Sequence, residues 1–560
     1  MNKAVAGISL SLLLILQLNP LFAQEADSTE APPEDWFLRD PETDSILGVS
    51  AERTYATLLK GQPSKTVLVA VIDSGIDIEH EDLKDVIWVN EDEIANNGID
   101  DDKNGYVDDI HGWNFIGGKA GNVNEDTYEV TREYARLKPL YENVDEKKVP
   151  RKKKAEYQLW QKVKTKYERD SKSNTDQYEQ YKAQYELYAK AYQTISICDS
   201  LLEKAAGKPI LKSTIGSIDA TNDTIIAAKV TLTKFFQTME GDFVVKEFLN
   251  DLDEFIGQLE QGVNHFRVAV EYGYNTSYNP RTLIGDDPNN PYEKGYGNND
   301  VEGPFARHGT HVAGIIGANR NNAKGIRGIA DNVKIMSIRA VPNGDERDKD
   351  VANAIIYAVD NGAKIVNMSF GKSFSPQKEA VDKAVRYAES KGVLLIHAAG
   401  NDSHNLDERQ NYPNRAFLKG GAAGNWLEIG ASGFDAGADF VGSFSNYGKK
   451  SVDLFAPGVQ IYSTVPDDQY ENLQGTSMAC PATTGVAALL LSYFPDLTAA
   501  QVKNILREST RKFDNLQVTK PGSKDQKVDF SELSITGGMV NAYEAVKMAQ
   551  QIQTKATGGR

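Results

Sequence analysis

The sequence predicts an α/β protein whose core is a mostly parallel β-sheet, interrupted by a helical insertion. Three observations lead there. Residues 66–72, TVLVAVI, are an almost unbroken β-branched and aliphatic run, the pattern of a strand buried on both faces, and residues 393–396, VLLI, repeat it. Two small-residue segments containing glycine, HGTHVAGIIGA from His308 and GTSMACP from Gly475, each lead into apolar helical text, where missing side chains permit close backbone approach. Residues 119–279 read differently. There Tyr178, Tyr181, Tyr185, Tyr188, Tyr192 and Ile195 recur at steps of three and four, and Phe248, Leu252, Phe255 and Leu259 do much the same.

In chain order, residues 1–23 carry one early lysine, an apolar stretch, the breakers Asn19 and Pro20, and the small residue Ala23. That is the pattern of a signal peptide cleaved after Ala23; an uncleaved membrane anchor is the alternative, against which the breakers shorten the apolar run. No later segment is long and apolar enough to span a bilayer, so the mature form is expected to lack a membrane span and to be periplasmic or extracellular. Residues 24–65 form a short N-terminal extension, acidic and proline-containing at first, in which Trp36 to Leu59 is expected to pack on the core. A net charge of −17 argues against a nucleic-acid partner, because phosphate contacts need a basic surface. Only two cysteines occur, Cys198 and Cys480, so no disulfide framework is expected.

The first core segment, residues 66–118, places Asp73 at the carboxyl end of its strand. An acidic loop follows, NGIDDDKNGYVDDIHG, in which Asp100, Asp102 and Asn104, with Gly105 in sixth place, copy the start of a calcium loop. The twelfth place holds His111 where glutamate is usual, so Asp108 or Asp109 would have to complete the shell, and a plain acidic turn remains the alternative. The insertion then runs over residues 119–279. Its two apolar stripes suggest an antiparallel αα-hairpin, coiled-coil-like, with the breakers between Gly207 and Asp223 as the turn. A self-packed accessory bundle, a dimer interface and a cap restricting substrate access all fit such stripes. The basic run 147–154 reads as a solvated face.

Residues 280–548 resume the core, and 549–560 form a tail. His308 opens an apolar helix, with His311 one turn further on. Asn401 follows Gly400 after the strand at 393–396. Ser477 lies where a turn becomes a helix, so free backbone N–H groups and the helix dipole favour a developing oxyanion there. Cys480, three residues later, is either a reactive thiol beside the nucleophile or a small buried helix residue. Asp, His, Ser is the chain order of one of the known serine triads.

VIDSG around Asp73, HGTHVAG from His308 and GTSMACP around Ser477 resemble the three catalytic signatures of subtilases, the subtilisin-like serine peptidases of family S8. The resemblance covers residues 36–548 apart from the insertion and implies a doubly wound sheet of the subtilisin type. It implies a secreted serine-type endopeptidase acting on polypeptides, with Ser477 as nucleophile, His308 as base, Asp73 as its orienting partner, and Asn401 with the Ser477 N–H as oxyanion hole. It also implies that Ser369, Phe370 and Gly371 form one wall of the primary substrate pocket and Ala398, Ala399 and Gly400 the other. Lys372 then either narrows or charges the rim, or points outward. His397 is read as a buried core histidine. No cofactor is needed for catalysis; structural calcium is common in the family, and Asp82 with Asn322 resembles a second, weaker calcium position. Asp286, Asp287 and Asp300 join either metal site or neither. The chain between Asp73 and His308 is far longer than a compact family member needs, and residues 24–65 are too few for the usual folded propeptide. A peptide ligase using the same acyl-enzyme and a non-catalytic scaffold are the competing readings, and covalent labelling of Ser477 separates the second from an enzyme.

Overall fold

The structure, a computed structural model, describes residues 32–558; the expected signal peptide over residues 1–23 lies outside them. The described chain divides into two compact units, one made of Pro32–Lys164 with the chain from Tyr272 onward, the other of Thr165–Glu271.

The core unit is built on strands β1 (Val67–Asp73), β2 (Gly112–Asn114), β3 (Val333–Arg339), β4 (Ile365–Met368), β5 (Leu394–Ala398), β6 (Trp426–Ser432), β7 (Leu454–Pro457), the hairpin β8 (Ile461–Val465) and β9 (Gln469–Leu473), and the short β10 (Arg511–Lys512) and β11 (Gly538–Met539). Nine of these form one sheet in the order β10-β11-β7-β6-β5-β4-β1-β3-β2. Every pairing in it is parallel except β10 with β11. The longer helices are α1 (Glu129–Tyr141), α2 (Lys154–Ala206), α3 (Asp223–Phe235), α4 (Val245–Val268), α5 (Arg307–Gly317), α6 (Asp348–Asp360), α7 (Lys378–Ser390), α8 (Thr476–Tyr493), α9 (Ala499–Glu508) and α10 (Ala542–Gly558).

Alternation along β1 explains why the sheet is covered twice. Val69 and Val71 point to one face, where they join α5 and α8 to α10; Ala70 and Ile72 point to the other, against α6 and α7. Strands buried on both sides must be apolar throughout, which is what the run at 66–72 recorded. The core is doubly wound, as predicted. Order reverses at β1, which has β4 on one side and β3 on the other. The carboxyl ends of β1, β4 and β5 therefore open on the crevice where open α/β sheets hold their sites. Trp36, Phe37 and Leu38 are fully buried in the same core, and Trp36 Nε1 donates to Gln460 O at 2.8 Å.

Residues 119–164 group with the core unit although the sequence places them in the insertion. Glu129 and Arg132 in the first turns of α1 are tied to the 345–348 segment and to Lys372, and Tyr134 stacks on Trp160 at 5.5 Å.

In the second unit the two predicted stripes face each other. Tyr181, Tyr185, Tyr188, Tyr192 and Ile195 share one cluster with Phe248, Leu252, Phe255 and Leu259. The ring of Tyr188 meets Phe255 edge-on at 5.1 Å and Tyr181 meets Phe266 at 5.4 Å, so α2 and α4 run antiparallel. A side chain on Gly262 would strike the Tyr181 ring at 2.4 Å, which fixes how closely the helices approach. The hairpin carries a third helix that the two stripes do not predict: α3, capped by Asn222 accepting from Ile225 N at 3.0 Å, buries Ile225, Ala228 and Leu232 in the same cluster. Among the described residues no helix is long and apolar enough to cross a membrane.

Candidate active site

Asp73 is the last residue of β1 and is 3% exposed. Its Oδ1 accepts from Ser74 N at 2.8 Å and lies 2.7 Å from His308 Nδ1; its Oδ2 is buried without a hydrogen-bond partner. His308 sits in the first turn of α5, and Gly309 lets that helix come in close, since a Cβ there would lie 2.1 Å from Gly75 O. Burial works to lower the His308 pKa, but the charge and hydrogen bond of Asp73 outweigh it and leave the imidazole above its ordinary value. A proton on Nδ1 held toward Asp73 leaves Nε2 to act as a base.

His311, one turn on, is placed to do something else. It is fully buried, its Nε2 donates to Ile461 O at 2.9 Å and to Glu471 O at 3.1 Å, and burial drives its pKa down to about 3. It is a neutral core histidine that ties α5 to the β8–β9 hairpin.

Ser477 lies in the first turn of α8, two residues after Gly475, whose φ of 153° and lack of a side chain leave room beside Asn401. The Ser477 hydroxyl donates to Ser369 O at 3.2 Å, and Ser369 Oγ donates to Ser477 O at 2.9 Å. The nucleophile candidate and one predicted pocket wall are thus directly joined. Asn401 Oδ1 accepts from Thr476 N at 2.9 Å and from Thr476 Oγ1 at 3.0 Å, which orients the amide. Its Nδ2 has no hydrogen bond among the described residues, and a substituent on Gly475 would meet both that Nδ2, at 3.3 Å, and Ser477 N, at 3.6 Å. Two donors therefore border one small space beside Ser477.

The other predicted wall, Ala398 to Gly400, continues β5; Gly400 has φ 103° and donates to Thr476 Oγ1 at 3.0 Å. Asn411, which no sequence motif singles out, lies between the walls. Its Nδ2 donates to Ala399 O at 3.2 Å, and a Cβ on Gly371 would come within 2.6 Å of it. Phe370 is half-buried beside His397, whose Nδ1 is 2.8 Å from Glu428 Oε1. Lys372 neither narrows the rim nor points outward. It is 4% exposed, and its Nζ lies 2.7 Å from Glu129 Oε2, 2.7 Å from Glu346 O and 2.9 Å from Asp348 Oδ1. Cys480 is fully buried, its Sγ facing Asn367 Oδ1 at 3.2 Å and Ile396 O at 3.3 Å, and burial raises its thiol pKa far above the ordinary range.

The acidic loop gathers a different set from the one expected. Carboxylates of Asp100 and Asp102 converge with Glu93, their oxygens all within 4.8 Å of one another. Asn104 sits beside Asp102, its Nδ2 3.0 Å from Asp102 Oδ2. Asp108 is used instead to receive Asn97 N and Gly98 N at 3.0 and 2.9 Å, and Asp109 is buried against Tyr357, Asn90 and Asn104, where desolvation lifts it to about 6. At the second expected position Asn322 turns its Nδ2 toward Asp82, which also accepts from Tyr470 Oη at 2.9 Å and Ile326 N at 3.2 Å. Asp286 is bound to Arg281 and Lys349, while Asp300 meets Asn122.

A histidine on a buried carboxylate, a serine at a helix start and two N–H donors beside that serine are the kinds of group that serine peptidases use. The sequence model of the subtilase family, peptidase S8, matches residues 64–532, and the chain belongs to that family. Over 187 residues it is 43% identical to the thermophilic serine proteinase of Bacillus sp. (strain AK1), a stretch covering 33% of this chain and 42% of that proteinase. It is 35% identical to thermitase of Thermoactinomyces vulgaris over 241 residues, 43% of this chain and 75% of thermitase. A solved protease structure from Pseudoalteromonas arctica, 31% identical, covers 43% of this chain and 70% of its own, with a TM-score of 0.36. The chain thus spans less than half of the first relative and three quarters of the second.

Proposed function

We propose that the protein is an exported serine endopeptidase that hydrolyses polypeptides through Ser477, His308 and Asp73. The observation that carries this reading is the 2.7 Å contact of His308 Nδ1 with the buried Asp73 carboxylate, in a sheet whose carboxyl edge also receives a serine at a helix start. Asp73 fixes the imidazole tautomer and stabilises the imidazolium. The Ser477 hydroxyl turns from Ser369 O to His308 Nε2, gives up its proton and attacks the scissile carbonyl. Asn401 Nδ2 and Ser477 N receive the oxyanion, His308 protonates the leaving amine, and water releases the acyl-enzyme. The edge at 369–371 offers backbone pairing to an extended peptide, while the opposite wall, whose Ala399 and Gly400 backbone groups are held by Ile429, Asn411, Asn446 and Thr476, gives the pocket a fixed side.

The test is to incubate the wild type and its Ser477→Ala variant with a fluorophosphonate and with unfolded casein. Labelling and proteolysis present in the wild type and absent from the variant are expected; a folded wild type that takes no label refutes the reading. Export rests on residues 1–23 and is checked by the N-terminus of the secreted chain, expected at Gln24.

We also propose that Glu93, Asp100 and Asp102 hold a hard divalent cation, calcium by their all-carboxylate chemistry. A chelator is expected to lower the unfolding temperature of the wild type and to leave a Glu93→Gln, Asp102→Asn variant unaffected.

A further inference from the structure

The turn that carries Asp73 is held from behind by a buried guanidinium that stability does not explain. Arg339 ends β3 directly opposite Asp73 in the sheet register and is 1% exposed. Its Nε donates to Ser74 O at 3.0 Å and its Nη2 to Asn124 Oδ1 at 3.0 Å, while Nη1 is buried without a partner. Among the described residues it forms no ion pair; burial draws its pKa below the ordinary range, and the more distant charge of Asp300 opposes that only in part. A buried charge without a close counter-charge is destabilising, and an apolar side chain of similar volume would fill the space at less cost.

Three segments meet at this group. One is the Asp73–Gly75 turn. The second is the chain at 122–124 leading into the insertion, where Asn124 O also accepts from Asn343 N at 2.8 Å. The third is the 300–306 stretch that leads from the insertion into α5 and His308. Gly303 lies against the guanidinium, since a Cβ there would sit 2.3 Å from Arg339 Cζ. This stretch also grips the Asp73 turn: Ile76 N donates to Val301 O at 3.1 Å, Ser74 Oγ donates to Phe305 O at 2.7 Å, and Gly75 leaves space for Glu302 O, which a Cβ would meet at 1.8 Å. The chain leading to His308 and the chain leaving Asp73 are therefore fixed to each other around one side chain.

We propose that Arg339 is a positioning residue for catalysis: by holding Ser74 O and Asn124 together it keeps the Asp73 carboxylate at its contact with His308. The proposal rests on the triad reading above. A misplacement of about 1 Å remote from the chemistry costs on the order of a hundredfold in rate. Arg339→Met is accordingly expected to slow fluorophosphonate labelling of Ser477 and kcat together, about tenfold to a hundredfold, with KM within about twofold. Because the Asp73 contact holds the His308 pKa up, loosening it moves the acid limb of kcat/KM to lower pH. Arg339→Lys is expected to recover part of the rate. Arg339→Gly is expected to regain labelling with added guanidinium chloride and not with sodium chloride at the same ionic strength.

If Arg339→Met does not fold, Asn124→Ala and Arg339→Lys carry the test, with labelling slowed and unfolding temperature nearly kept. Labelling at the wild-type rate by a folded variant overturns the proposal, as does a loss that only tracks the unfolded fraction. A wild type that takes no label at all refutes the triad reading instead, so the two failures are distinguishable.

Discussion

Acid is expected to destabilise this fold through His311, and by an amount that its surroundings set. A histidine in an unfolded chain titrates near 6.5. In the fold, burial holds His311 down to about 3, aided by the charges of His308 and Arg307 and against its hydrogen bonds to Glu471 O and Ile461 O, which favour the protonated ring; its Nδ1 is buried without a partner. Between those two values the unfolded chain binds a proton that the folded chain refuses. The stabilisation is therefore complete above about pH 6.5 and is lost progressively as pH falls toward 3. At about 1.36 kcal/mol per pH unit the loss is about 2 kcal/mol from pH 7 to pH 5, and about 4–5 kcal/mol over the whole window. The assay is urea unfolding at pH 7 and pH 5 in a Ser477→Ala background, which removes self-digestion, with and without His311→Gln. Glutamine can donate to the same carbonyls but does not titrate, and the other acid-sensitive groups cancel in the comparison. The stability difference between the parent chain and its His311→Gln variant is expected to move by about 2 kcal/mol in the variant's favour on going from pH 7 to pH 5. A difference that stays constant to within about 0.5 kcal/mol, the usual limit of additivity, refutes the reasoning.

Three further outcomes are expected. Asn401→Ala removes the proposed oxyanion donor and is expected to lower kcat about a hundred- to a thousandfold with little change in KM, measured on a peptide anilide. The acid limb of kcat/KM is expected above pH 6.5, because Asp73 outweighs the burial of His308; a limb well below that value in the wild type contradicts the assignment of His308 as base. Lys372→Met leaves the Asp348 carboxylate buried without a counter-charge, while Glu129 keeps Arg132, and is expected to cost about 3–5 kcal/mol in urea unfolding; Asp348→Asn added to it recovers part of the loss.

What could be read from sequence was local. The β1 and β5 runs, the small-residue helix starts and the tyrosine stripe each announce themselves within a single element, because burial on both faces or along one stripe constrains every position. Helix α3 was not read from the sequence: the breakers from Gly207 to Asp223 give the chain before it the look of a turn, and its buried residues Ile225, Ala228 and Leu232 make a short stripe beside the two long ones. Nor were Asn411, Glu93 and Arg339. Each acquires its meaning from a partner brought near by the fold, as Asn411 does from Ala399 and Arg339 from Ser74, and no periodicity marks such a meeting. Lys372 shows the same limit, since its three partners come from two distant segments and turn it inward.

The chain that departs after Tyr128 returns at Gly273: Tyr128 N and Thr131 Oγ1 both donate to Gly273 O, at 2.9 and 2.7 Å, and the Tyr128 ring covers Gly273 so closely that a Cβ would lie 2.4 Å from it. Everything between therefore begins and ends at one clasp. Closing a loop whose ends already touch depends only weakly on its length, about 0.6 kcal/mol for each doubling. With α1 kept on the core by Glu129 and Arg132, the part of this loop that could be exchanged for a longer or shorter segment while β1 and α5 keep their register is Thr165–Glu271, so the peptidase core and that unit are free to vary separately.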